Sequence, residues 1–183
     1  MGKFIKKETG IEGLFVIEPT VYSDERGYFM ETYVKKDFVE LGIDTEFVQD
    51  NQSKSKKGVL RGLHYQIDYP QSKLVRVISG EVYDVAVDLR EGSETYGKYF
   101  GEILSAENKK QFFSTKGFAH GFLVLSDEAE FVYKVDDFYH PNDEGGIIYN
   151  DETINIDWPL DRVENLILSE KDQKWPTLNE RNK

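Results

Sequence analysis

The 183-residue sequence contains no cysteine. That excludes disulfides, thiolate metal sites and a cysteine nucleophile, and a reducing cytoplasm is the simplest expected home. Long apolar runs are missing as well. No stretch approaches the roughly 20 residues needed to cross a bilayer, so no membrane span is expected. The opening MGKFIKKETG has lysines without an apolar core, so no secretory signal is read there. Positive charge is in deficit: 23 Lys and Arg against 34 Asp and Glu, a formal net charge of −11. Broad nucleic-acid binding is therefore not expected, and any anionic ligand must be held by locally concentrated cations. The sequence has neither a P-loop nor a dinucleotide glycine fingerprint. Without internal repeats, low-complexity segments or a Pro/Gly-rich linker, residues 1–183 are expected to form one domain.

Helical periodicity is also scarce. KKDFVELG (35–42) reads as a short helix with Gly42 as its C-terminal stop, and SEKDQKW (169–175) as another with Ser169 as N-cap. The remainder reads as short strands separated by turn signals, from GLFVIEP to AEFVYKVDDFY. Gly80 in ISGE is expected to break the run KLVRVISGEVYDVAVDLR into a hairpin. Many strands without interleaved helices imply a mostly β antiparallel sandwich or barrel. The five prolines are all expected in connections.

Alternation along these strands picks out unusual residues. Lys73 shares a face with Val75 and Val77, and Tyr133 shares one with Phe131 and Val135, which points its hydroxyl inward. In GVLRGLHYQ, Arg61 and His64 have opposite parity and diverge on a straight strand. A bulge at Gly62 is required if both serve one site. A lone strand histidine is more often structural than catalytic, but unpaired buried cations are costly, so Arg61 and Lys73 near His64 imply an anionic ligand or a carboxylate network. His120, between Gly117 and Gly121, divides evenly between a pocket residue and a backbone-bonded strand residue. His140 precedes a proline in a turn and is expected at the surface. The acidic run DFYHPNDEGGIIYNDE lacks calcium-loop spacing and reads as a solvated loop. No His-x-His pair occurs, and Gln66 follows His64 where a metal-binding barrel would place its second histidine.

Seven blocks in order carry a resemblance: SDERGYFMETY, FVQDNQSKSKKGVLRGLHYQ, KLVRVISGEVYDVAVDLR, LSAENKKQFF, GFAHGFLVLSDEAEFVYK, DEGGIIYND and LSEKD. Over almost its full length the chain resembles the dTDP-4-dehydrorhamnose 3,5-epimerase family. The resemblance implies a cupin-type jelly-roll barrel with a few short helices, working without metal or cofactor, as a homodimer. It implies epimerisation of dTDP-4-dehydro-6-deoxy-D-glucose at C3 and C5. By resemblance, His64 is the general base, Asp172 its carboxylate partner and Tyr133 the general acid. Lys73 lies near the C4 oxygen, with Arg61 and His120 lining the pocket. Arg26, Glu31, Gln49 and Asn51 hold the nucleotide end, Tyr139 stacks on thymine, and Glu144 and Lys171 complete the binding positions.

Rival readings are an epimerase acting at one carbon, a 3,4-ketoisomerase relative, a metal-dependent cupin oxygenase and a non-catalytic sugar-binding cupin. The metal question has a direct test. Turnover is expected to survive exhaustive chelation, because the ligand spacing of a metal-dependent barrel is missing. Loss of turnover that one added metal restores would defeat that expectation.

Overall fold

The computed structural model describes residues 3–181. Thirteen strands dominate it: β1 (Phe4–Glu8), β2 (Leu14–Pro19), β3 (Val21–Asp24), β4 (Gly27–Met30), β5 (Gln49–Lys56), β6 (Leu60–Gln66) and β7 (Lys73–Ser79) come first. β8 (Glu81–Asp88), β9 (Tyr99–Ser105), β10 (Gln111–Ser114), β11 (Phe118–Val124), β12 (Glu128–Val135) and β13 (Glu144–Gly146) follow. One sheet has the order β1-β2-β10-β7-β12-β5 and the other β13-β6-β11-β8-β9, while β3 and β4 form a separate hairpin. Every strand pairing in these sheets is antiparallel. The architecture is the mostly β, cupin-like one expected.

The main core lies between the two sheets. Val16, Val75, Phe112 and Phe131 of the six-stranded sheet meet Val82, Ala86, Leu104 and Phe122 of the five-stranded one. Both outer faces are covered as well. Helix α1 (Lys35–Glu40) lays Phe38, with Ile43 just beyond it, on Ile17, Leu74 and Phe113. On the other side Ile147, Ile154, Trp158 and Leu178 of the C-terminal segment cover Leu63, Val85 and Leu123. Covering both faces explains why every residue of β11 is buried, a continuous apolar run where a half-covered strand would alternate.

Helix α1 matches the expected 35–42 segment, with Gly42 at φ +82° just past its end. Four other expectations fail. Gly80, at φ +78°, is not a hairpin tip: β7 and β8 belong to different sheets, so the chain turns a corner there. Residues 169–175 form a hydrogen-bonded turn instead of a helix, while a short helix α2 (Leu178–Arg181) follows, started by a Thr177–Glu180 capping box. The acidic run is not a solvated loop. Asp143 and Asp151 are buried within it, accepting backbone N–H bonds from Asp68 and Tyr69 and from Ile154 and Leu178 respectively. Pro19 ends strand β2 and so lies outside the connections.

The β8–β9 connection depends on one buried carboxylate. Asp88 accepts from Arg90 Nε and Nη2 at 2.9 and 2.7 Å, and from the hydroxyls of Ser93 and Thr95 at 2.6 Å each. Burial alone would raise its pKa, but these bonds outweigh it and hold the carboxyl well below the usual carboxylate range. A depressed folded-state pKa supplies stability that is fully present above the unfolded value, near 4, and is lost as pH falls through the folded value. Asp88→Asn is therefore expected to cost about 2 kcal/mol at pH 7. The gap from the parent protein, measured by urea unfolding, should narrow at pH 3; a gap independent of pH would refute the assignment.

Candidate active site

Strand β6 carries His64 and Arg61, and its register solves their parity conflict. β6 pairs with β11 through His64–His120 and Arg61–Phe122, so three residue steps on β6 oppose two on β11. The extra residue is a bulge at Gly62–Leu63, where the sequence required one. Gly62 has φ +122°, and a Cβ on it would come within 2.6 Å of Gly121 Cα. Only glycine fits this left-handed, backbone-on-backbone contact. Leu60 and Leu63 consequently pack on the outer cluster, while Arg61 and His64 share the face of Phe122 and His120, His64 half-buried and Arg61 exposed. Arg61 reaches across to the opposite sheet, donating from Nε and Nη2 to Ser55 Oγ at 3.2 and 3.1 Å.

The C-terminal segment delivers the partner of His64. A parallel bridge of Ile167 with Val59 sets the chain beside the start of β6. Ser169 Oγ then accepts from the Asp172 N–H at 3.1 Å, forming the turn that aims Asp172. Asp172 is 2% exposed, and its Oδ1 lies 2.5 Å from His64 Nε2. Burial raises its pKa, but bonds from His64, Ser169 and Trp175 outweigh that and hold it below the usual range. An ionised Asp172 requires a proton on Nε2, which leaves the lone pair of a neutral His64 on Nδ1. Glu144 Oε1 stands 4.0 Å from Nδ1, and its Oε2 accepts from Lys171 Nζ at 2.6 Å.

Tyr133 and Lys73 hang from the opposite sheet, on β12 and β7. Burial raises the Tyr133 phenol above its ordinary pKa, partly opposed by Arg61. Burial also pushes the Lys73 ammonium down to about 8, against the pull of Asp84 and Glu144. Asp84 was not singled out from the sequence. It is fully buried, with Oδ1 2.8 Å from His120 Nε2, and burial raises its pKa against His120 and Lys73. Among the described residues its Oδ2 is the buried side-chain oxygen without a hydrogen-bond partner. The available signal was an aspartate inside the apolar strand EVYDVAVD on the same face as Val82 and Ala86. His120 therefore bonds a carboxylate and not the backbone carbonyl of one of its two sequence readings.

The expected nucleotide-binding residues separate into two groups. Tyr139 donates its N–H to Gln49 Oε1 at 3.3 Å, and Gln49 Nε2 donates to Asn51 Oδ1 at 2.9 Å, so these three cluster. Arg26 and Glu31 do not join them. Arg26 sits at the exposed tip of the β3–β4 hairpin, bonded to Asp24, and Glu31 pairs with Lys3. His140, expected at the surface, is half-buried with its ring stacked on Tyr69 at 4.0 Å.

The electrostatics yield a test. Asp84→Asn removes the larger of the two attractions on the Lys73 ammonium. The Lys73 midpoint, followed by NMR of its side-chain carbons, is expected to fall from about 8 by about one further unit. An unchanged midpoint would show that Asp84 does not act on Lys73.

The profile of the dTDP-4-dehydrorhamnose 3,5-epimerase family matches residues 8–180. A Methanothermobacter thermautotrophicus protein described as dTDP-4-dehydrorhamnose 3,5-epimerase is 56% identical over 178 residues, 97% of this chain and 95% of its own. An Escherichia coli protein of the same description is 53% identical, covering 94% of this chain and 93% of its own. The crystal structure of a Legionella pneumophila dTDP-6-deoxy-D-glucose-3,5-epimerase in complex with dTDP-4-keto-L-rhamnose superposes with a TM-score of 0.93 at 54% identity. That superposition covers 96% of this chain and 93% of the Legionella chain. The chain belongs to the dTDP-4-dehydrorhamnose 3,5-epimerase family.

Proposed function

We propose that the chain inverts dTDP-4-dehydro-6-deoxy-D-glucose at C3 and C5 by proton transfer through an enolate. The observation that carries this reading is the placement of His64 and Tyr133 on facing sheets of one sandwich. Both carbons flank the C4 carbonyl, so their protons are acidified by the same ketone. His64 Nδ1 removes the proton as general base, a role worth roughly 10² to 10⁴-fold. Asp172 fixes the tautomer and stabilises the imidazolium. Lys73, with a midpoint of about 8, is largely an ammonium at neutral pH and stabilises the enolate oxygen. Tyr133, held protonated by burial, returns a proton from the opposite side.

The diphosphate end fits the cations at the mouth of the site. Arg61 and Lys171 supply positive charge beside His64, and Gln49, Asn51 and Tyr139 form a platform for the base. Arg26 and Glu31 belong to the same reading through a second copy. The hairpin that carries Arg26 exposes Tyr22, Tyr28 and Phe29 at 54%, 58% and 65%, an apolar surface suited to a homodimer. From there the hairpin of one protomer can reach the nucleotide in its partner. A cytoplasmic home accords with the cysteine-free sequence.

Incubation with the substrate in D₂O, followed by NMR, tests the roles separately. His64→Ala is expected to abolish both turnover and deuterium entry, since no enolate forms. Tyr133→Phe keeps the base, so deuterium should enter without net inversion while product formation slows by roughly 10² to 10⁴-fold. Equal loss of exchange and inversion in Tyr133→Phe would remove the tyrosine as acid. Deuterium at one carbon alone, in the parent protein, would identify a single-site epimerase.

A further inference from the structure

Asp172 Oδ1 serves two donors. His64 Nε2 lies 2.5 Å away, and the indole N–H of Trp175 donates to the same oxygen at 3.2 Å. The indole is built into this position. Gly146 stands opposite His64 in the β13–β6 ladder, and a Cβ there would fall within 2.6 Å of three indole ring atoms. The Trp175 and His64 rings meet edge to face with centroids 6.1 Å apart. Lys171 Nζ lies 5.8 Å from the indole centroid.

We propose that Trp175 is a positioning residue that limits how strongly Asp172 holds the His64 imidazolium, and so sets the pH at which the base becomes available. An indole N–H donates at every pH and never titrates. It stabilises the Asp172 anion whether or not His64 is charged, and this competes with the imidazolium for the same lone pairs. Removing the indole leaves Oδ1 to His64, favours the imidazolium and delays release of the neutral base to higher pH. The other groups facing the pair are untouched by that change. Glu144 approaches Nδ1 from β13 and is paired with Lys171, while Arg61 lies on β6 itself. His120 stands opposite His64 on β11 and is bonded to Asp84 of β8, Lys73 and Tyr133 belong to the facing sheet, and Ser169 Oγ contacts Asp172 from the turn. Glu170 and Lys174 on the same turn pair with each other at 4.0 Å, both largely exposed. The inference rests on His64 being the base.

Trp175→Phe keeps most of the packing and removes the donor. The acid limb of kcat/KM against pH is expected to move upward by about half a unit, roughly a threefold loss on the limb. Above the limb kcat/KM should stay within about twofold of the parent, as should KM. A limb that does not move, or a loss uniform across pH, would overturn the proposal and leave Trp175 a packing residue. A second measurement uses the parent protein alone. The ¹⁵N-labelled indole signal of Trp175, distinguished from Trp158, should shift with pH at the midpoint of the acid limb. A signal flat through that range would also overturn it, even if the Phe variant fails to fold. The indole titration itself needs no turnover, so an indole signal that titrates away from the acid limb marks failure of His64 as base, while a flat signal marks failure of the Trp175 role.

Discussion

The contact of Gly62 with Gly121 is the constraint on which the rest of the site depends. A side chain at either position would drive β6 and β11 apart, because a Cβ on one meets the backbone of the other below 3 Å. With the strands this close, the bulge resets alternation and Arg61 and His64 come to one face of β6. The same register places Gly146 opposite His64 and Glu144 opposite Gln66 on β13. It also leaves the start of β6 free to accept Ile167, and through that bridge the turn bearing Asp172. One backbone approach therefore aligns His64, Asp172 and Glu144 from three distant parts of the sequence.

Charge is distributed on the same plan. A chain with net charge −11 repels an anionic ligand at long range, yet the cations around His64 are each tied to a carboxylate or a polar partner, Arg61 and Lys171 from exposed positions. Lys171 is held by Glu144, Arg61 by Ser55, and Lys73 is drawn by Asp84 and Glu144. Desolvation still governs Lys73, since burial outweighs both attractions and brings the ammonium to about 8. Asp84 is the counterpart, an acid whose burial outweighs His120 and Lys73. Both shifts have one cause, the cost of holding charge away from water, and in both a neighbouring opposite charge works against it.

Alternation made much of this legible. The inward row of Lys73, Val75 and Val77, the placement of Tyr133 beside Phe131, and the need for a bulge at Gly62 all follow from residue parity. What alternation cannot report is which strands become neighbours. Gly80 looks like a hairpin tip because β7 and β8 are adjacent in sequence, yet the chain changes sheets there. Strand β5 is polar along nearly its whole length, QDNQSKSK, and β13 is EGG; pairing with β12 and β6 makes them strands, not propensity. The Asp172 pairing came from resemblance, since 108 residues separate it from His64 and no spacing rule links them. Asp84 and Trp175 are not legible in the sequence because their contacts, with His120 and with Asp172, exist only once the chain is folded.

The two-sheet architecture has a stereochemical consequence for the proposed reaction. An enolate is planar at the reacting carbon, so inversion requires proton carriers on both of its faces. His64 belongs to the five-stranded sheet and Tyr133 to the six-stranded one, and a sugar held between the sheets offers one face to each. A single wall could only return the proton to the face it left, which is exchange without inversion. Lys73 shares the tyrosine's sheet, next to β12 in the ladder. On the proposed roles, the C4 oxygen stays at Lys73 while each flanking carbon in turn meets His64 and Tyr133. Two inversions then need no second set of residues.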